Sequence, residues 1–96
     1  MSYARINMVE FNSEEHAKAE IEDYAAGAPT VFPEAEILVS VATGAESAVL
    51  VSIYPDKDAF ERSAVARAKW LSGHEARIKN VEVLEGEVTL AHVKTD

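Results

Sequence analysis

Ninety-six residues make one domain, and a chain of this size buries roughly 60–70% of its unfolded surface. Nine Lys and Arg against 17 Asp and Glu leave a net charge of −8, a surface that repels phosphate backbones and anionic lipid, so neither nucleic acid nor a membrane is an expected partner. No apolar run approaches the ~20 residues that span a bilayer, and zero cysteines exclude disulfides, thiolate metal sites and a cysteine nucleophile. The opening Met-Ser-Tyr-Ala-Arg lacks the regions of a signal peptide, so a cytoplasmic location is expected.

Tyr3–Phe11 alternates with period two and reads as a strand. One face carries Tyr3, Arg5, Asn7, Val9 and Phe11. The other carries Ala4, Ile6 and Met8, a small apolar set suited to packing under helices. Asn12 or Ser13 can cap the helix that follows, with Glu14 and Glu15 in the first turn where the helix dipole favours them. Ala17, Ile21, Tyr24, Ala25 and Ala28 form its apolar stripe, and Gly27 and Pro29 are expected to stop it. Thr30–Glu34 is a connector.

Ala35–Ala42 and Ala48–Tyr54 are apolar runs around the turn Thr43–Ser47 and predict a hairpin. Ile37, Val39 and Val41 on one strand, with Val49, Val51 and Ile53 on the next, form β-branched faces expected to meet the helices. The faces bearing Ser40, Ser52 and Tyr54 would then join that of Arg5 and Asn7 on the open side. Asp56 is a good N-cap for a second helix from Lys57 to about Leu71, with Phe60, Ala64, Ala68 and Leu71 as its main stripe and Ala59, Ser63, Ala66 and Trp70 beside it. Gly73 is a place for a kink or an end, with a further turn over His74–Ile78. Val81–Val93 is extended, with a bulge or bend expected at Gly86. Strand, helix, strand, strand, helix, strand is the split βαβ plan. The expected fold is therefore α+β, ferredoxin-like βαββαβ, a single domain over 1–96 with a four-stranded antiparallel sheet and two helices on one face.

The residues with chemistry to offer are few. The Asn7 amide can orient a carbonyl or bound oxygen, or be satisfied inside an interface. Arg5 can hold an anion, or pair with a carboxylate. Tyr54 can donate its hydroxyl to a substrate oxygen, or sit in an interface with an apolar body and a polar tip. Trp70 can line an aromatic pocket or pack a core. His74 has the pKa of a general base, or caps helix-terminal carbonyls. A pocket is expected between the sheet face carrying Arg5, Asn7 and Tyr54 and the second helix near Trp70 and His74. His16 and His92 are read as surface or interface residues, and no two of the three histidines have metal-ligand spacing. There is no nucleophile elbow and no glycine loop to cradle phosphate, so no metal and no cofactor is expected.

The opening strand Tyr3-Ala-Arg-Ile6, the hairpin ending Ile53-Tyr54-Pro-Asp-Lys-Asp-Ala-Phe60 and a long final strand resemble the dimeric α+β-barrel superfamily, its antibiotic-biosynthesis-monooxygenase-like group. The resemblance spans nearly the whole chain. It implies a homodimer in which the sheets of two protomers face one another, joined through the open sheet face and the final strand, and a pocket for a small-molecule ligand. The superfamily includes cofactor-independent oxygenases, haem-degrading enzymes, isomerases and members without known activity. Its haem-degrading branch uses an asparagine on the first strand with a tryptophan and a histidine on the second helix. Asn7 matches the first and His74 lies close to the last, but the tryptophan's place falls near Ser63, about two turns before Trp70. Two readings follow. One is a cofactor-independent monooxygenase acting on an aromatic or polyketide-like small molecule, with Asn7 and His74 catalytic and Arg5, Tyr54 and Trp70 binding substrate. The other is a non-catalytic ligand-binding or structural homodimer, with a haem-binding or haem-degrading protein as a further alternative.

Overall fold

The computed structural model describes residues 1–94. Its central strand is the first, β1 (Tyr3–Phe11), which pairs antiparallel with β3 (Ser47–Tyr54) on one side and β4 (Ile78–Glu87) on the other. β2 (Ile37–Gly44) pairs with β3 and completes an antiparallel sheet of order β2-β3-β1-β4. Helices lie on one face only, so the architecture is the ferredoxin-like α+β plan expected. The final strand is shorter than expected and ends at Glu87. The bulge falls at its start rather than at Gly86. Glu10 pairs with Asn80 and Phe11 with Ile78, so Lys79 is the extra residue, whereas Gly86 sits in register opposite Ala4. The bulge occurs where β4 leaves the preceding helical turn and must bend to reach its partner.

Helix α1 (Glu14–Val31) is capped by Ser13, whose hydroxyl accepts the His16 backbone N–H at 3.1 Å. It does not stop at Gly27 or Pro29. Pro29 removes one hydrogen bond, to the carbonyl of Ala25, and Ala25 is exposed, so water can take that carbonyl. Continuing the helix seats Tyr24, Ala28 and Phe32 in one buried cluster. Ala25, assigned to the apolar stripe, faces out, and Glu20 is buried in its stead.

The second helical segment is two helices, α2 (Lys57–Arg62) and α3 (Ala64–His74), followed by a 3₁₀ turn over Glu75–Arg77. Asp56 caps α2 as expected, accepting from the Ala59 N–H at 2.7 Å. The break at Ser63 has a local cause. The Phe60 carbonyl, which an unbroken helix would pair with the N–H of residue 64, instead accepts from the Ser63 N–H at 3.1 Å, the Ser63 hydroxyl at 2.6 Å and Arg67 at 3.0 Å. α3 then runs through Gly73 to His74.

The sheet presents the opposite face to the helices from the one its β-branched pattern predicts. Phe11, Val9, Ala48, Ser52 and Tyr54 are buried beneath α1, α2 and α3, with Arg5, Asn7 and Leu50 on the same side. By register, Ala4, Ile6 and Met8 point away from the helices, together with Val49, Val51 and Ile53, with Ile37, Val39 and Val41, and with Leu84. Val39, Val41 and Leu84 are 41%, 47% and 55% exposed. The expectation that the polar-aromatic face would lie open is thus overturned. The helices carry partners for those polar groups, whereas the β-branched face is apolar across β2 and β3, with Glu10, Asn80 and Glu82 toward its β1–β4 side.

Candidate functional site

Because the helices cover the polar face of the sheet, the polar residues of β1 and β3 end in a cavity rather than in solvent. The cavity has a volume of about 220 Å³ and lies between the sheet and α1 and α3. Arg5, Asn7, Ser52 and Tyr54 supply its polar floor, and Arg67 of α3 supplies a second cation. Val9, Leu50, Phe32, Trp70, Leu71 and Val81 supply most of its apolar wall. Leu71 and Val81 are both exposed, which places the mouth of the cavity between α3 and β4.

Four of the five residues singled out in the sequence meet here. Arg5, Asn7, Tyr54 and Trp70 line one space. Arg5 Nε donates to Asn7 Oδ1 at 3.2 Å, which fixes the amide with its nitrogen free to donate elsewhere. A second guanidinium nitrogen of Arg5 reaches Glu85 Oε2 on β4, also at 3.2 Å. Burial lowers the Arg5 pKa, the positive charge of Arg67 lowers it further, and Glu85 opposes both. Tyr54 is 1% exposed and packs edge-on against Phe60, with ring centroids 5.6 Å apart. The buried Tyr24 phenol stands beside Ser52. Burial pushes its pKa up and the hydrogen bond with Ser52 works against that rise.

His74 does not line the cavity. Its ring meets the edge of Trp70 at 4.6 Å between centroids, and its Nδ1 lies 3.3 Å from Glu20 Oε1. That nitrogen is buried and close enough for an ion pair, but the geometry falls short of a hydrogen bond. Glu20 is the nearest carboxylate to this corner and itself lines the cavity. Its Oε2 accepts from the Trp70 indole N–H at 2.7 Å, and its Oε1 accepts from Arg77 at 3.2 Å, which also holds Asp23 at 2.8 Å. One buried carboxylate on α1 thus ties α3 and the turn beyond it into place. Trp70 adds aromatic contacts to Tyr24 and Phe32, at 5.8 and 6.5 Å, and its ring lies against Gly27.

Gly27 is where α1 and Trp70 come closest. A Cβ built there would lie 3.4 Å from the indole, ordinary van der Waals contact. Gly27→Ala is therefore expected to stabilise the fold by about 0.5–1 kcal/mol through helix propensity. Gly27→Leu should destabilise it by displacing Trp70. Denaturant unfolding of the two variants checks both signs, and a destabilised alanine variant would show that the helix tolerates no approach at this point.

Sequence reasoning missed Glu20 and Arg67. Both occupy positions on apolar stripes: Glu20 sits three residues after Ala17 and four before Tyr24, and Arg67 four after Ser63 and three before Trp70. A lone charge on a buried stripe was the available signal.

No protein-family model matches this sequence, and a search of the curated proteins finds no match. Solved structures do match in fold. A proposed antibiotic biosynthesis monooxygenase from Chloroflexus aurantiacus superposes at a TM-score of 0.80, with 13% identity, over 97% of this chain and 98% of that one. SnoaB, a cofactor-independent oxygenase from Streptomyces nogalater, does so at 0.69, with 18% identity, over 94% and 95%. MhuD, in a mutant form binding two manganese protoporphyrins per active site, does so at 0.67, with 22% identity, over 96% and 99%. The chain shares the ferredoxin-like α+β fold of these antibiotic-biosynthesis-monooxygenase-like structures. At these identities the likeness is one of fold, and a fold of this kind hosts several chemistries.

Proposed function

We propose that the cavity is the substrate site of a small-molecule oxygenase that works without metal or flavin, on an electron-rich aromatic or polyketide-like compound. The observation that carries this reading is the convergence of Arg5, Asn7 and Tyr54 on one apolar-walled space beside Trp70. In the reaction, an activated CH₂ group of the substrate loses a proton and the anion passes an electron to O₂. Recombination forms a hydroperoxide, and loss of water leaves a ketone. Asn7 and Arg5 hold the oxygens on which negative charge develops, and Tyr54 donates to a substrate oxygen. His74 is the proposed terminal acceptor of the proton. Its path from the cavity runs through Glu20, which lines the cavity and stands 3.3 Å from the histidine nitrogen.

A haem fits these residues poorly. The cavity is little larger than the ~150 Å³ that accepts a benzene, and His74, the histidine that would hold the iron, turns toward Glu20 behind Trp70. Titration with haem should therefore give no Soret shift.

The chain is proposed to act as a homodimer through the sheet face opposite the helices, as the superfamily resemblance implies. The support is the apolar surface of β1, β2 and β3 on that side, left without cover by the chain itself. The alternative, a binding or structural dimer without turnover, shares the same residues and is separated by measurement. Oxygen uptake with a panel of one- and two-ring phenolic substrates should be enzyme-dependent and fall about 10²-fold in Asn7→Ala, the usual cost of losing one donor to a developing oxyanion. Ligand binding without oxygen uptake would support the non-catalytic reading, and the absence of both would leave only the structural one.

A further inference from the structure

We propose that the ligand of this cavity is an organic carboxylate of one or two rings, its carboxylate held between Arg67 and Arg5 and its rings against Trp70, Phe32 and Leu50. This rests on reading the cavity as a ligand site and goes beyond it by fixing the charge and chemical class of the occupant.

Arg67 is the first of the two cations. The chain has 17 carboxylates against nine basic side chains, yet among the described residues no carboxylate pairs with this arginine. One of its terminal nitrogens donates to the Phe60 carbonyl and the Ser63 hydroxyl, both neutral acceptors. Its guanidinium lies over the Phe60 ring, 4.1 Å from the centroid. These contacts hold the side chain in place without neutralising it, and they leave its other nitrogens for something else. The group is only partly exposed and lines the cavity. A half-buried cation without a counter-charge is unfavourable, and an anionic ligand removes that cost.

Arg5 lines the same cavity from the sheet. Its one carboxylate partner is Glu85, more than a third exposed on the edge strand and bonded through a single nitrogen. The two guanidiniums are near enough to repel, since the charge of Arg67 depresses the pKa of Arg5. Both remain charged at neutral pH. The carboxylate that does line the cavity, Glu20, stands at the Trp70 corner and is engaged by the indole N–H and Arg77. Positive potential is thus concentrated at one end of a cavity in an otherwise acidic protein, with apolar walls at the other. The open fork of Arg67 and the remaining terminal nitrogen of Arg5 suit a carboxylate, and the volume of about 220 Å³ suits a one- or two-ring body.

The test is calorimetric titration with 2-naphthoate and its neutral counterpart 2-naphthylmethanol. Wild-type protein should bind the acid about 10–100-fold more tightly than the alcohol, the range expected of hydrogen bonds to charged groups. In Arg67→Gln the preference should shrink to within about threefold, most of the change falling on the acid. Arg67→Lys should keep part of it, because the charge remains and the fork is lost. Circular dichroism melts establish that each variant folds. Should Arg67→Gln not fold, Arg5→Gln must lower the acid-to-alcohol ratio in its place. Equal affinity for acid and alcohol in the wild type would overturn the carboxylate assignment and leave the cavity standing as a ligand site. Failure to bind either probe would overturn the cavity reading, and this proposal with it.

Discussion

Glu20→Ala should lower the thermal midpoint by about 10–20 °C. The carboxylate is 5% exposed and accepts from the Trp70 indole and from Arg77, with His74 at 3.3 Å. Removing it leaves the indole N–H without an acceptor in a buried corner, and opens a hole where α1 meets α3. A buried donor left unsatisfied costs about 1–3 kcal/mol, and the lost packing adds to it. We expect about 2–3 kcal/mol in all, and in a domain of this size each kcal/mol shifts the midpoint by about 4–8 °C. Arg77 keeps Asp23, so it contributes little to the loss. Glu20→Gln retains an acceptor for Trp70 and should cost less than half as much. Melts followed by circular dichroism, with Trp70 emission as a second probe, decide the matter. If alanine at this position melts within about 2 °C of the wild type, Glu20 is not what holds α3 against α1.

Val51→Glu should convert the proposed dimer to a monomer. Val51 pairs with Ile6 on β1 and with Val39 on β2, so it sits in the middle of the sheet face that the helices leave bare. That face must supply the drive for association, because two chains of net charge −8 repel one another. A stable interface there should bury more than about 1,000 Å² in total. Two carboxylates brought into its centre lose their hydration without gaining partners, at a cost of several kcal/mol. Within one protomer the substitution faces solvent and should change strand stability by no more than about 1 kcal/mol. Light scattering at micromolar concentration should give twice the 10.4 kDa chain mass for the wild type and the single mass for the variant. A wild-type monomer, or a variant that stays dimeric, would show that this face is not the interface. Helix-side substitutions in the cavity, such as Arg67→Gln, should leave the mass unchanged.

The open face also shows where reading the sequence fell short. Period-two alternation divides each strand into two sides without saying which side the helices take. On β3 the choice lay between Val49, Val51 and Ile53 and the set Ala48, Leu50, Ser52 and Tyr54. Both are apolar enough to be buried, and the β-branched set looked the better core. The helices take the other set because they bring what its polar members need. Tyr24 meets Ser52, Arg67 and Trp70 face the floor that Arg5 and Asn7 form, and Phe60 packs on Tyr54. None of those pairings has a fixed spacing in the sequence.

The order of the elements, the antiparallel plan, a cap at Asn12 or Ser13, the cap at Asp56 and four of the residues that meet in the cavity were legible in the sequence. These depend on local periodicity and on side chains that bond within three residues of themselves. The tertiary structure alone decided that α1 continues past Pro29, that α2 and α3 separate at Ser63, and that His74 turns to Glu20 while Asn7 faces the cavity. Two of these are settled by contacts between distant parts of the chain, Phe32 in its cluster with Trp70 and Glu20 on the Trp70 indole, and the break at Ser63 by Ser63 and Arg67 converging on the Phe60 carbonyl, a competition that helical periodicity does not reveal. Local preference is worth about 1 kcal/mol or less per residue, and packing and buried hydrogen bonds outweigh it wherever the two disagree.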